Sequence, residues 1–262
     1  MKHLAPVLYT EMTKALRSKV LPASVFFFIF LGIMMGLLMF LSRHPEIAGK
    51  SAIMGTKVSM IGNATWPSFM NLLIQMGLTV GAIGCGIVTI WVFGREFSDR
   101  VIKDLLVLPV HRYFFVISKY LVVIAWSLLL YLILLVTGVI GGVVLNLDLW
   151  SVEVILENSR IYFLSGLLTI LLCTFTGLIT SMSRGYLLPI TFVILTMMLT
   201  QFVMIAVPGF SPFFPWAIPA LYSHVAGPLA PLPGFTGYLV LFFTSFFCFA
   251  CTVAWWRYAD QK

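Results

Sequence analysis

The sequence predicts an all-α polytopic membrane protein, a single transmembrane domain over residues 1–262. Three observations predict it. Hydrophobic residues occupy 61% of the 262 positions and charged residues 10%, against about 45–50% and about 25% in ordinary globular chains. So little charge cannot cover a water-exposed surface, which excludes a soluble enzyme, a disordered chain, a coiled coil and a nucleic-acid-binding domain. Six stretches reach the roughly 20 apolar residues that cross about 30 Å of hydrocarbon. They are 20–41, 69–93, 120–145, 161–182, 186–207 and 236–256, and none holds Asp, Glu, Lys, Arg or His. Finally, twelve of the 16 Lys and Arg fall on the side shared by both termini, the 94–119 connection and Arg184. Only Arg43, Lys50, Lys57 and Arg160 lie opposite. The cation-rich side is the cytoplasmic one, which puts both termini in the cytoplasm.

The chain opens on an interfacial helix. Leu4, Ala5, Leu8, Tyr9, Met12, Ala15 and Leu16 share one side of a helical wheel, and Thr10, Glu11, Lys14, Arg17 and Ser18 the other. The cations then face anionic headgroups. Pro22 and the length of the first apolar run mark it as a retained span, not a cleaved leader. Trp66, Trp150, Trp216, Trp255 and Trp256 fall near predicted interfaces, as in an aromatic belt. Asn71, Gln75 and Thr79 recur every fourth residue in the second span; Thr196, Thr200 and Gln201 form a stripe in the fifth. Uncharged stripes of this kind bond neighbouring helices or line a substrate path. Gly32/Gly36, Gly77/Gly81 and Gly138/Gly142 have the spacing that lets helices approach closely.

Between the second and third spans, 94–109 reads as a helix of about four turns. Arg95, Glu96, Asp99, Arg100, Lys103 and Asp104 fill one half of its wheel; Phe97, Val101, Ile102, Leu105 and Leu108 fill most of the other. Glu96–Arg100 and Asp99–Lys103 are paired in the favourable order, and Pro109 ends the helix because it has no N–H to donate. Between the fifth and sixth spans, 208–235 holds seven of the 13 prolines with Phe210, Phe213, Phe214 and Trp216. It must break into short helices. Such backbone reaches membrane depth only where protein or a water-lined cavity covers it.

Other chemistry is missing. Cys85, Cys173, Cys248 and Cys251 all lie in apolar runs, where thiolates are disfavoured. His3, His44, His111 and His224 have no ligand spacing, so no metal site is expected. Gly49-Lys50-Ser51 lacks the first glycine of a phosphate loop, His44 standing there. No connection reaches the roughly 40 residues that a small domain needs. The chain is therefore read as a non-enzyme with no cofactor of its own.

The run from Gly94-Arg-Glu-Phe through Leu105-Leu106, Pro109 and Arg112 to Lys119 resembles the signature of ABC-2-type transporter permeases. Glu96 matches the acidic position, Leu105, Leu106, Pro109 and Arg112 the turn, and Lys119 the lysine. The resemblance implies a six-span permease, similar in size to bacitracin- and lantibiotic-resistance permeases, in a prokaryotic plasma membrane. It implies two ATP-binding cassette subunits that hold ATP and Mg, a second permease that is identical or related, and membrane lipids as partners. It implies a coupling helix whose contacts come from Arg95, Glu96, Phe97, Asp99, Arg100, Lys103, Asp104, Leu105, Pro109 and Arg112. The charged face, centred on Glu96 and Arg100, is expected to meet the ATPase. The resemblance also implies an outer gate in the proline-rich segment, at Phe213, Phe214 and Trp216. The expected cargo is an amphiphilic or hydrophobic peptide antibiotic, lipid or drug, moved outward. An ion-coupled carrier is the rival reading, but it wants ionisable residues at mid-membrane. A membrane assembly factor or enzyme wants a cluster of His, Asp or Glu at one interface.

Overall fold

The computed structural model describes residues 4–44, 64–99, 111–227 and 230–258. Among them a short helix, α1 (Leu4–Leu16), precedes six long ones: α2 (Val20–Arg43), α3 (Trp66–Ser98), α4 (Arg112–Val144), α5 (Val152–Ser183), α6 (Leu187–Ala206) and, after the proline-rich segment, α8 (Phe235–Tyr258). All six are long and apolar enough to cross a membrane. The chain is thus an all-α membrane protein with six candidate spans. Four helices cover their expected apolar runs, while α4 stops one residue short of 145 and α6 one residue inside each end of 186–207. α3 and α4, at 33 residues each, extend about 50 Å at 1.5 Å per residue, well beyond the hydrocarbon. The backbone ladder does not end where hydropathy does, because any residue can continue it.

The most extensive contact joins α3 to α5; α2 packs on α4, and α8 on α5 and α4. α6 sits at the edge against α3 and α5, and Leu187, Met198 and Phe202 on its outer side are exposed. For a helix in hydrocarbon that exposure carries no penalty. The three glycine pairs do bring helices together. A Cβ on Gly77 would lie 2.6 Å from the Tyr162 ring, and one on Gly81 2.9 Å from the Tyr131 hydroxyl. Gly138 and Gly142 receive Leu73 and Trp66, and Gly36 faces Gly141 of α4.

The buried tyrosines find backbone partners on neighbouring helices, as a membrane interior favours, while the Ser118 and Ser245 hydroxyls have no partner among the described residues. Tyr131 donates to the Gly77 carbonyl at 2.8 Å and Tyr162 to the Tyr131 carbonyl at 2.9 Å. At the end away from the termini, Trp66 N–H donates to the Asp148 carbonyl at 3.1 Å. Arg43 ties α2 to the turn after α4 through the Leu145 and Asn146 carbonyls and Asp148. Trp66 packs edge-on against Trp150, with ring centroids 4.9 Å apart. Trp66 and Trp256 are buried, which corrects their expected place in an interfacial belt. Both fill space between helices that run past the apolar layer.

The proline-rich segment is broken, as expected. It forms two 3-10 turns, Ser211–Phe213 and Pro215–Ala217, and a five-residue helix α7 (Ile218–Tyr222). Gly237 of α8 is pressed onto it. A Cβ there would collide with the Pro212 carbonyl oxygen.

Candidate functional site

Two places in the bundle concentrate polar chemistry. The first is a cavity of about 570 Å³ between α3, α5 and α6, roofed by the proline-rich segment. Gln75 and Thr79 of α3 line it, and so do Thr196, Thr200 and Gln201 of α6. The two predicted stripes therefore share one wall-to-wall space. Their hydroxyls do not bridge the helices. Thr79 donates to the Gln75 carbonyl at 2.8 Å and Thr200 to the Thr196 carbonyl at 2.7 Å, each on its own helix. This satisfies the donors and leaves hydroxyl oxygens and the Gln75 and Gln201 amides to the cavity. Asn71 is exposed and is not part of the lining. No charged residue lines the cavity among the described residues. Sequence reasoning missed the α5 wall, Thr169, Cys173 and Thr176. Its signal was a stripe at positions 169, 173, 176 and 180 of one helix face.

The expected outer gate divides. Trp216 lines the cavity under its roof, against Phe175 at 5.3 Å and Phe214 at 5.4 Å between ring centroids. Phe214 supports Trp216 and does not itself line the space, and Phe213 is exposed.

The second place is at the end that carries the termini. Lys119 of α4 lies 2.9 Å from Glu96 of α3 and 3.2 Å from Glu11 of α1. Its Nζ also donates to the Val92 carbonyl at 3.0 Å and sits 5.9 Å from the Trp256 ring centroid. Lys14 closes the group, 2.6 Å from Glu11 and 3.2 Å from Glu96. The Lys119 side chain is 1% exposed and both carboxylates 5%. Two acids against two bases leave the cluster neutral, the condition under which buried charge is tolerated. Glu96 Oε2 has no hydrogen-bond partner among the described residues. Burial pushes the Glu11 carboxyl up, but the charges and hydrogen bonds of Lys119 and Lys14 outweigh it and hold its pKa below the ordinary value. A depressed carboxyl stabilises the fold at neutral pH and gives this up only as pH falls through the lowered value.

This cluster corrects two expectations. Glu11 faces the bundle with Val7 and Ala15, while Tyr9 and Leu16 of α1 are exposed. The helical wheel sorted residues by polarity. The structure sorts them by partner: Glu11 turns from water to meet Lys119 and Lys14, whose charges offset the desolvation of the carboxylate. Glu96 likewise belongs to the buried end of α3 and not to a water-facing side. Residues 94–98 are the tail of α3, not the start of a separate helix. Of the other expected coupling residues, Arg95 lies over the Trp91 ring at 4.9 Å and 4.0 Å from exposed Asp99. Phe97 packs edge-on against Trp256 with centroids 6.1 Å apart. Arg112 donates to the Trp256 and Arg257 carbonyls at 3.3 and 3.4 Å, capping the end of α8. Arg100, Lys103, Asp104, Leu105 and Pro109 lie outside the described residues.

Comparison with known proteins matches residues 7–203 to a family model described as ABC-2 family transporter protein. The bacitracin transport permease protein BCRB of Bacillus licheniformis is 24% identical over 194 residues, 74% of this chain and 91% of that protein. No solved structure matches. The family match ends within α6, so the proline-rich roof and α8 lie beyond it.

Proposed function

The chain belongs to the ABC-2 family of transporter proteins, and from that membership we propose that it is the permease subunit of an ATP-binding cassette exporter for amphiphilic or hydrophobic cargo, with peptide antibiotics of the bacitracin type foremost. The single observation that carries the choice of cargo is the cavity itself, in which threonines and two glutamines stand among apolar side chains and no charged residue takes part among the described residues. Its volume of about 570 Å³ lies within the roughly 300–1,000 Å³ of pockets that hold drug-sized ligands. It admits a compact amphiphile or one portion of a larger peptide. Hydroxyl and amide groups bind peptide bonds without asking the cargo to shed a charge into hydrocarbon.

ATP and Mg belong to two separate ATPase subunits on the cytoplasmic side. This chain catalyses nothing itself. A second permease, identical or related, completes the pathway and covers the exposed amides of Asn71 and Gln201. The connection from 100 to 110 is the ATPase contact, with Arg95 and Asp99 at its root.

The experiment is purification of the tagged chain from its own cells. An ATP-binding subunit should co-purify, and the complex should hydrolyse ATP where the stripped chain does not. ATP turnover by the isolated chain, or the absence of any ATP-binding subunit at full yield, rejects this reading.

A further inference from the structure

We propose that Glu11, Lys14, Glu96 and Lys119 form a clamp that makes α1 and the facing ends of α3 and α4 move as one body, so that displacement of the 100–110 connection is delivered to the cavity through α3. The inference rests on the ATPase-driven permease reading. It goes beyond that reading by assigning positioning residues to the transmission step.

Four observations carry it. Glu96 stands near the end of α3 and Lys119 near the start of α4, on either side of the connection. Lys119 is shared: one ammonium holds a carboxylate of α1 and one of α3. It cannot follow one helix without dragging on the other, and parting them leaves a charge buried without its counter-ion. α1 also packs on α4 through Val7, Leu8 and Ala15, and the ion pairs add its tie to the end of α3. Of its buried residues, only Val7 and Ala15 accompany Glu11, while Tyr9 and Leu16 are exposed. Finally, α3 is one uninterrupted helix of 33 residues from the cavity residues Gln75 and Thr79 to Glu96. A push at Glu96 therefore arrives at the cavity wall. The same stretch bears on the other wall too, because Gly94 receives the ring of Tyr186 at the foot of α6. A Cβ there would lie 2.7 Å from that ring.

The test is Glu11→Gln in the complete transporter. Lys119 keeps Glu96 and the Val92 carbonyl, and Lys14, whose side chain is 33% exposed, can turn to water, so the chain should still fold. Spin labels at Leu16→Cys and Tyr113→Cys report the α1–α4 distance, with Cys85, Cys173, Cys248 and Cys251 replaced. The otherwise unaltered labelled transporter should give the same narrow distance without nucleotide and trapped with ATP and vanadate. Glu11→Gln should broaden it. Bacitracin moved per ATP hydrolysed should fall about tenfold, within the range of a lost coupling between sites, while assembly and hydrolysis hold. Glu11→Asp should recover part of the ratio. If Glu11→Gln lowers the yield, Lys14→Gln, which cuts the tie from α1 to Glu96 of α3 and spares the Lys119 pairs, should broaden the distance between labels at Leu16→Cys and Asp99→Cys.

The clamp is overturned if the distance changes between the two nucleotide states without any substitution. It is also overturned if the substitutions leave both the distance and the ratio unchanged. A transporter that moves no bacitracin and holds no ATPase defeats the functional reading instead. The label distances in the purified chain still decide the clamp, since they need no cargo.

Discussion

Lys119→Met is expected to remove about 3–5 kcal/mol of stability, the usual effect of breaking a buried ion pair from one side. For a chain of this length that lowers the melting midpoint by on the order of 10 °C. The substitution keeps the length and apolar stem of the side chain. It deletes the fully buried one of the two cations that face both Glu11 and Glu96, along with the bond to Val92 and the contact with Trp256. Two carboxylates then share Lys14 alone, and the cluster carries an uncompensated negative charge. Adding Glu96→Gln restores neutrality, so the double variant should melt higher than Lys119→Met by itself. Thermal melting in detergent, read by size-exclusion recovery, measures both. A Lys119→Met protein that melts with the parent would mean the cluster contributes nothing. A double variant below the single one would mean charge balance is not what the cluster supplies.

Thr200→Trp is expected to stop transport without unfolding the protein. Thr200 lines the cavity, and its hydroxyl already bonds its own helix, so no inter-helix contact is lost. A tryptophan presents roughly 150–250 Å² of rigid surface into the space where the cargo must sit. Protection against bacitracin should fall on the order of tenfold or more, which corresponds to about 1.4 kcal/mol of excluded binding. The control is Leu199→Trp on the exposed side of α6, where the ring meets lipid and protection should persist. Equal protection in the two variants at equal membrane levels would place the pathway elsewhere.

The spans were legible because hydrocarbon imposes one requirement on every residue that touches it, and each predicted run lies within or against an observed helix. The polar stripes at Gln75–Thr79 and Thr200–Gln201 were legible for the converse reason, since an uncharged polar face in a span needs a neighbour or a cavity. The α5 wall escaped notice because threonine and cysteine bond their own helix and cost little in hydrocarbon, so Thr169, Cys173 and Thr176 did not stand out. Glu11 and Glu96 were misplaced for a deeper reason. A wheel knows the polarity of one helix and nothing of the helix across from it. The partner that buries both carboxylates, Lys119, is 108 residues from the first. The stretch 100–110, where the family resemblance is most specific and the ATPase contact is proposed, lies outside the described residues.

Labelled bacitracin uptake into inside-out membrane vesicles tests the central claim most directly. Vesicles carrying the permease with its ATPase should accumulate the peptide with ATP. They should not accumulate it with a non-hydrolysable analogue, and collapsing the ion gradients should make no difference. Accumulation that survives without hydrolysis, or that vanishes with the gradients, would contradict an ATP-driven exporter.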